Sequence, residues 1–195
     1  DRLTRRTLDH YDSEAPELVS SVIPGVVSVT QLTEILKGLL REGISVRNFD
    51  VILQAVAEAG PRAGSERSLL EEVRIALKNQ ITQKYAGEDG VIRGFTLDAL
   101  LDIALVKCER EKQVVDPEWI ESICANPLFS GGNSRVIVVS RGARRLLYEA
   151  LQLRRINAAV LAFDEISETV TFESQGQIES GGEKNAREIM ERLAA

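Results

Sequence analysis

RVIVVSRGARRLLYEALQLRRINAAVLAF, residues 135–163, decides the fold class. Val136-Ile-Val-Val139 is an unbroken β-branched run, the composition of a strand buried on both faces. Ala143, Leu146, Leu147, Ala150 and Leu151 then recur at the helical period, and Ala159-Val-Leu-Ala-Phe163 is a second buried run. Such a strand–helix–strand unit predicts two parallel strands joined by a right-handed crossover. Upstream, Val91 to Thr96 predicts another strand, and Leu97, Leu100, Leu101, Ala104, Leu105 and Cys108 form a helical stripe. Asp116-Pro117-Glu118 is a cap followed by a first-turn proline, opening a helix that carries Trp119, Ile120 and Ile123. Downstream, Val170, Phe172 and Ile178 suggest one more, half-exposed strand. Residues 91–179 thus predict a small α/β subdomain. The last stretch, 180–195, opens on Gly181-Gly182 and reads as a weakly attached tail.

The other half is helical. Pro16 suits a first turn, and Pro24-Gly25 stops the short helix that follows it. Ser28 with Gln31 has capping-box spacing, flanked by Val27 and Leu32 as a hydrophobic staple. Leu32, Ile35, Leu36, Leu39 and Leu40 follow at i, i+3, i+4, i+7 and i+8, and Gly43 supplies a left-handed stop. Ser45 restarts the pattern, with Phe49, Ile52, Leu53 and Val56 on one face until Gly60-Pro61. A longer helix is expected to turn Leu69, Leu70, Val73, Leu77, Ile81 and Tyr85 inward. Residues 16–86 read as an all-helical module, with Gly87 to Gly90 a polar hinge. Residues 1–15 (Leu3, Leu8 and Tyr11 on a loose stripe) look like the end of a preceding element. A chain opening on Asp1 rather than Met reads as an excised piece of something longer. The fold class is therefore mixed α/β: a helical module followed by a small α/β domain.

Composition narrows the function. Of 195 residues, 24 are Lys or Arg and 30 Asp or Glu, a net charge of −6. That sign disfavours a general nucleic-acid or anionic-membrane binder. In the helical module eight basic residues meet eight acidic ones, so no positive stripe tracks phosphates. Two cysteines, Cys108 and Cys124, exclude a disulfide scaffold and a zinc cluster and suggest a reducing compartment. No apolar run approaches the ~18–20 residues a membrane span requires.

Catalytic chemistry finds few candidates. The single histidine, His10, sits in the polar N-terminal segment and reads as a solvated surface residue rather than a general base. Asp164 and Glu165 follow a predicted buried strand, where open α/β sheets place ligand groups. They define the alternative reading, a small-ligand-binding or hydrolytic protein, against that of a solvated capping loop. Ser130-Gly131-Gly132-Asn133 precedes a strand instead of opening a helix, so a tight turn is expected in place of a phosphate loop. Arg141, Arg144 and Arg145 lie at i, i+3 and i+4 on one predicted helix face and are partner-binding candidates, with a solvated face the plainer reading. No catalytic, cofactor or metal residue is assigned.

Residues 16–24 (PELVSSVIP), 36–48 (LKGLLREGISVRN), 52–57 (ILQAVA) and 72–81 (EVRIALKNQI) resemble the export-gate family of type III secretion systems, the FlhA/SctV type of flagella and injectisomes. Val136 to Arg141 and Val160 to Ile166 (VLAFDEI) extend the resemblance, which spans residues 3 to 179. It implies a non-enzymatic part of an inner-membrane protein whose cytosolic half, four subdomains at the cytoplasmic face, assembles as a nonameric ring. The implied partners are secretion chaperones, export substrates and other export components, with no nucleic acid. Contact with the membrane would run only through an N-terminal half lying outside this sequence. Residues 16–86 would match the third, ring-forming subdomain and 91–179 the fourth. Chaperone docking is attributed largely to the first two subdomains, so this chain would lack much of that cleft. Lys84-Tyr85 leans toward the injectisome branch. Arg41, Glu42 and Arg47, charges expected to be exposed beside the turn at Gly43, are the candidates for cross-subunit pairs.

Overall fold

Ser28 opens the first strongly amphipathic helix as its spacing predicts. In the computed structural model, which describes residues 2–131, 135–179 and 183–194, Gln31 N–H donates to Ser28 Oγ at 3.2 Å. Gln31 Oε1 in turn accepts from Ser28 N–H at 2.9 Å, so each residue satisfies the other's otherwise orphaned donor. The chain divides into two compact units, Asp1–Ile81 and Thr82–Ala195.

The first unit holds α1 (Arg2–Glu14), α2 (Pro16–Val22), α3 (Val29–Arg41), α4 (Phe49–Ala59) and α5 (Glu66–Ala76). α6 (Lys78–Tyr85) carries the chain across the division. Leu32, Ile35, Leu36, Leu39, Ile52, Leu53, Val56, Leu69 and Val73 are buried. Leu40, expected inside, is 56% exposed. It lies one helical step beyond Leu39, at the outer margin of the stripe.

Gly43 adopts φ +67° and ends α3. Ile44 N–H donates to Leu39 O at 2.8 Å and Gly43 N–H to Leu40 O at 3.0 Å, the paired closure that satisfies the last carbonyls. The next helix does not restart at Ser45. Ser45 Oγ instead accepts from Arg47 N–H in a local turn, and α4 begins at Phe49. The long helix expected over residues 69–85 is broken at Leu77 (φ −88°, ψ 11°), although Leu77 and Ile81 remain buried. In α1, Thr4 rather than Leu3 faces inward: the Thr33 hydroxyl donates to Thr4 Oγ1 at 2.9 Å, while Leu3 is 76% exposed. The Tyr11 ring packs 5.0 Å from that of Phe49.

The second unit contains β1 (Val91–Leu97), α7 (Ala99–Glu111), α8 (Pro117–Cys124), β2 (Arg135–Val139), α9 (Arg141–Leu153), β3 (Ala158–Ala162), β4 (Thr171–Ile178) and α10 (Glu183–Ala194). The sheet runs β3-β2-β1-β4 and every neighbouring pair is parallel. Ile137 pairs with Val160, so the strand–helix–strand unit forms as expected. Phe95, Leu97, Ile137, Val139, Ala158 and Val160 alternate onto one face against the buried residues of α7, α8 and α9. Ile92, Val138 and Leu161, of the opposite parity, are buried as well, which is why β2 reads as a continuous apolar run. β1 and β2 approach closely at Gly94, where an added Cβ would lie 2.6 Å from the Val136 carbonyl oxygen.

β4 returns to pair beside β1, with Thr171 opposite Val91, after a link of only residues 163–170. Parallel strands ordinarily need a crossover of a dozen residues or more. Here Thr82 pins the shorter link: its hydroxyl donates to Glu165 O at 3.1 Å and accepts from Ser167 N–H at 2.9 Å. β4 is largely exposed and carries an irregularity opposite Gly94–Thr96, with Gly176 at φ +151°. Irregular, charged edges discourage pairing with other chains. A 3₁₀ turn spans Pro127–Gly131, and Gly132 and Asn133 of the expected turn at Ser130–Asn133 lie outside the described residues, as do residues 180–182. The stretch read as a tail contains α10, whose Ile189 is fully buried in the core of this unit. Its seat is formed by residues far away in sequence, which local composition does not reveal.

Two helix ends place basic residues where glycine is favoured. Lys112 (φ +53°) ends α7 and Arg155 (φ +57°) follows α9. In both, the next residue closes the same paired motif, Gln113 N–H to Cys108 O and Ile156 N–H to Leu151 O, each at 2.9 Å. A side chain in this conformation costs about 1 kcal/mol. Lys112→Gly and Arg155→Gly are each expected to raise the unfolding free energy by about 0.5–1 kcal/mol, read from urea denaturation midpoints.

Candidate interaction surfaces

The turn between α3 and α4 brings Arg41, Glu42 and Arg47 near one another in sequence and then separates them. Arg41 and Arg47 are exposed. Glu42, expected on the surface with them, is turned inward: its side chain is 9% exposed, and its Oε2 lies 2.7 Å from Nη1 of Arg74, itself 2% exposed. Glu42 caps α3 beside α5, and a buried guanidinium must find a carboxylate. Gln80 Nε2 donates to Ser45 O at 2.8 Å, fixing the loop that carries Arg47.

The arginines of α9 likewise do three different things. Arg144, a surface candidate from its spacing, is fully buried, and its Nε lies 3.9 Å from Oε1 of Glu165. Helical position 144 faces the same way as buried Ala143 and Leu147, which overrides its polarity. Arg145 is 13% exposed and bridges two carboxylates, Nη2 to Glu109 at 2.5 Å and Nη1 to Glu149 at 2.7 Å. Burial opposes its charge, yet these two carboxylates hold the guanidinium above its ordinary pKa. Arg141 is 38% exposed, 3.9 Å from the Asp164 carboxylate. The shared basic face is therefore reduced to Arg141.

Ser140, at the start of α9, donates from its N–H to Asp102 Oδ1 at 3.0 Å and from its hydroxyl to Asp102 Oδ2. This latch ties the first turn of α7 to the end of β2. Sequence spacing gives no hint of it, because the two residues are 38 apart.

Asp164 and Glu165 also part. Glu165 is 1% exposed, and its Oε2 accepts from Ala162 N–H at 3.0 Å. With Arg144 on its other oxygen, this carboxylate is committed to the fold. Asp164 is a half-exposed neighbour of Arg141. His10 is exposed, 3.7 Å from Glu14 and edge-on to Tyr11. Burial pushes the Cys124 thiol above its ordinary pKa, which lowers its reactivity. Among the described residues, no group of three His, Cys, Asp or Glu side chains could hold a metal ion, and no helix is long and apolar enough to cross a membrane.

This arrangement offers charged surface and engaged ion pairs. The flagellar biosynthesis protein FlhA of Proteus mirabilis is 31% identical over 183 residues, covering 91% of this chain and 26% of its own length. The chain thus spans about a quarter of that relative. The structure of the Shigella flexneri MxiA protein matches with a TM-score of 0.82 and 28% identity, over 90% of this chain and 59% of that one. The nonameric SctV-C of EPEC shares the fold, with a TM-score of 0.77 and 22% identity over 90% of this chain and 56% of that one. The FHIPEP family matches residues 2–171, so the resemblance carried by Leu36 to Asn48 and Val160 to Ile166 holds, and the chain belongs to the FHIPEP family.

Proposed function

We propose that this chain is part of the cytosolic ring of a type III export gate and works by binding proteins, without catalytic turnover. The observation that carries the proposal is the family match over residues 2–171. In this reading the helical region 16–86 forms the ring contacts, and the nonamer of the EPEC relative supplies the form of assembly. Chaperones, export substrates and other export components are the partners, reached at the cytoplasmic face of an inner membrane. Arg41 and Arg47 are the cross-subunit candidates that the structure leaves exposed. Arg141 is the remaining partner-facing arginine of α9.

Exposed charge pairs contribute about 0–1 kcal/mol each and are screened by salt. Self-association is therefore expected to be concentration-dependent and to weaken as salt rises from about 0.01 M to 0.15 M, where the screening length shortens from about 30 to 8 Å. Arg41→Glu with Arg47→Glu is expected to weaken it by about tenfold. Sedimentation velocity across the salt series measures both effects. A discrete dimer indifferent to salt and to both substitutions overturns this reading.

A further inference from the structure

β4 is the outer strand of the sheet β3-β2-β1-β4 and, at eight residues, the longest of the four. From Glu173 to Gln177 it is exposed on both faces. It carries neither proline nor lysine, the residues that usually blunt an open edge, and its one charge is Glu173. Such a strand is a template for the same strand of a second copy. We propose that a two-for-one bulge at Gln175 and Gly176, closed by the Ser174 hydroxyl, is what keeps the β4 edges of two copies from pairing.

Gly94 stands opposite Ser174 and Thr96 opposite Gln177, so Gln175 and Gly176 together face Phe95. One extra residue interrupts the regular row of N–H and C=O groups that an added strand needs. Gly176 holds φ +151°, and a Cβ there would meet only the Phe95 ring, at 3.7 Å. Glycine thus serves the backbone angle and not a lack of room. The Ser174 hydroxyl donates to Gly176 O at 3.2 Å and accepts from Gly176 N–H at 3.4 Å. One side chain therefore engages both backbone groups of the bulged residue.

Glu173 adds a second barrier. Its carboxylate lies 3.4 Å from Arg93 Nε, and its side chain is 59% exposed. Two-fold pairing of β4 with its copy would draw two such carboxylates into one seam. An oligomer concentrates identical edges, which is the setting where this block counts.

The test is self-association of the intact chain carrying Arg41→Glu and Arg47→Glu, a background that silences the contacts of the proposed ring. Deletion of Gly176 with Ser174→Val leaves Gln175 alone opposite Phe95 and restores a regular edge. In sedimentation equilibrium that variant is expected to dimerise at least about 100-fold more tightly than the background, since several backbone hydrogen bonds become available together. Ser174→Ala with Glu173→Thr keeps the backbone intact and is expected to tighten dimerisation about tenfold. This second variant decides the matter if the deletion unfolds the chain. In both, amide exchange at residues 172–177 is expected to slow as protein concentration rises. The proposal is overturned if neither variant dimerises more tightly than the background, or if the dimer leaves those amides exchanging as fast as in the monomer. Because the background already lacks the charges assigned to ring contacts, failure here and failure of the proposed function are separable.

Discussion

Arg74→Ala is expected to lower the unfolding free energy of the helical unit by about 3–5 kcal/mol. Arg74 is 2% exposed and Glu42 9%, and their contact is 2.7 Å. Removing the guanidinium takes the 2.7 Å charge partner from a largely desolvated carboxylate, and that penalty exceeds what the pair itself contributes. The same logic predicts an asymmetry. The double substitution Glu42→Leu with Arg74→Met removes both charges while keeping most of the volume, and is expected to fall within about 1 kcal/mol of the parent. Urea denaturation of the parent, the single and the double variants measures this. Equal losses in the single and double variants would mean that packing of the side-chain stems, and not the charge, holds α5 to the end of α3.

Glu165→Ala should be comparably costly, about 3–5 kcal/mol, and for two reasons at once. It removes the carboxylate beside the fully buried Arg144, and it removes the acceptor for Ala162 N–H at the end of β3. Asp164→Ala, one residue earlier, is expected to cost less than about 1 kcal/mol, because its contact with Arg141 is 3.9 Å and half-exposed. The contrast separates the two carboxylates that a ligand-binding reading would pair. A Glu165→Ala chain with an unchanged denaturation midpoint would show that the carboxylate is not committed to the fold, and would reopen that reading.

Much of the second unit was legible because its signals are local. The β-branched run at Val136–Val139 and the cap at Asp116 both act within a few residues. In the first unit the Ser28 box and the Gly43 stop are of the same kind. The misjudged elements are those settled by distant contacts. The start of α4 moved to Phe49 because residues 44–48 are held by Gln80 and by the local turn at Ser45. The break at Leu77 has neither proline nor glycine to announce it.

For the candidate surfaces the division is sharper. Sequence spacing placed Arg144 beside Arg145, and Glu42 beside Arg41, as though all were solvated. Polarity predicts solvation only until packing supplies a partner. A guanidinium or carboxylate can be buried wherever an opposite charge and hydrogen bonds meet it, and such a meeting spans 32 residues for Arg74 and 36 for Arg145.

Caps, stops and periodicity, each spanning a turn or two of chain, determined from sequence alone that a helical region precedes a parallel α/β unit. Tertiary structure alone decided that β4 lies beside β1, that α10 has a seat, and which arginines remain at the surface. The physical reason is range: backbone propensity and capping act over a few residues, whereas desolvation and charge pairing depend on what the rest of the chain brings alongside.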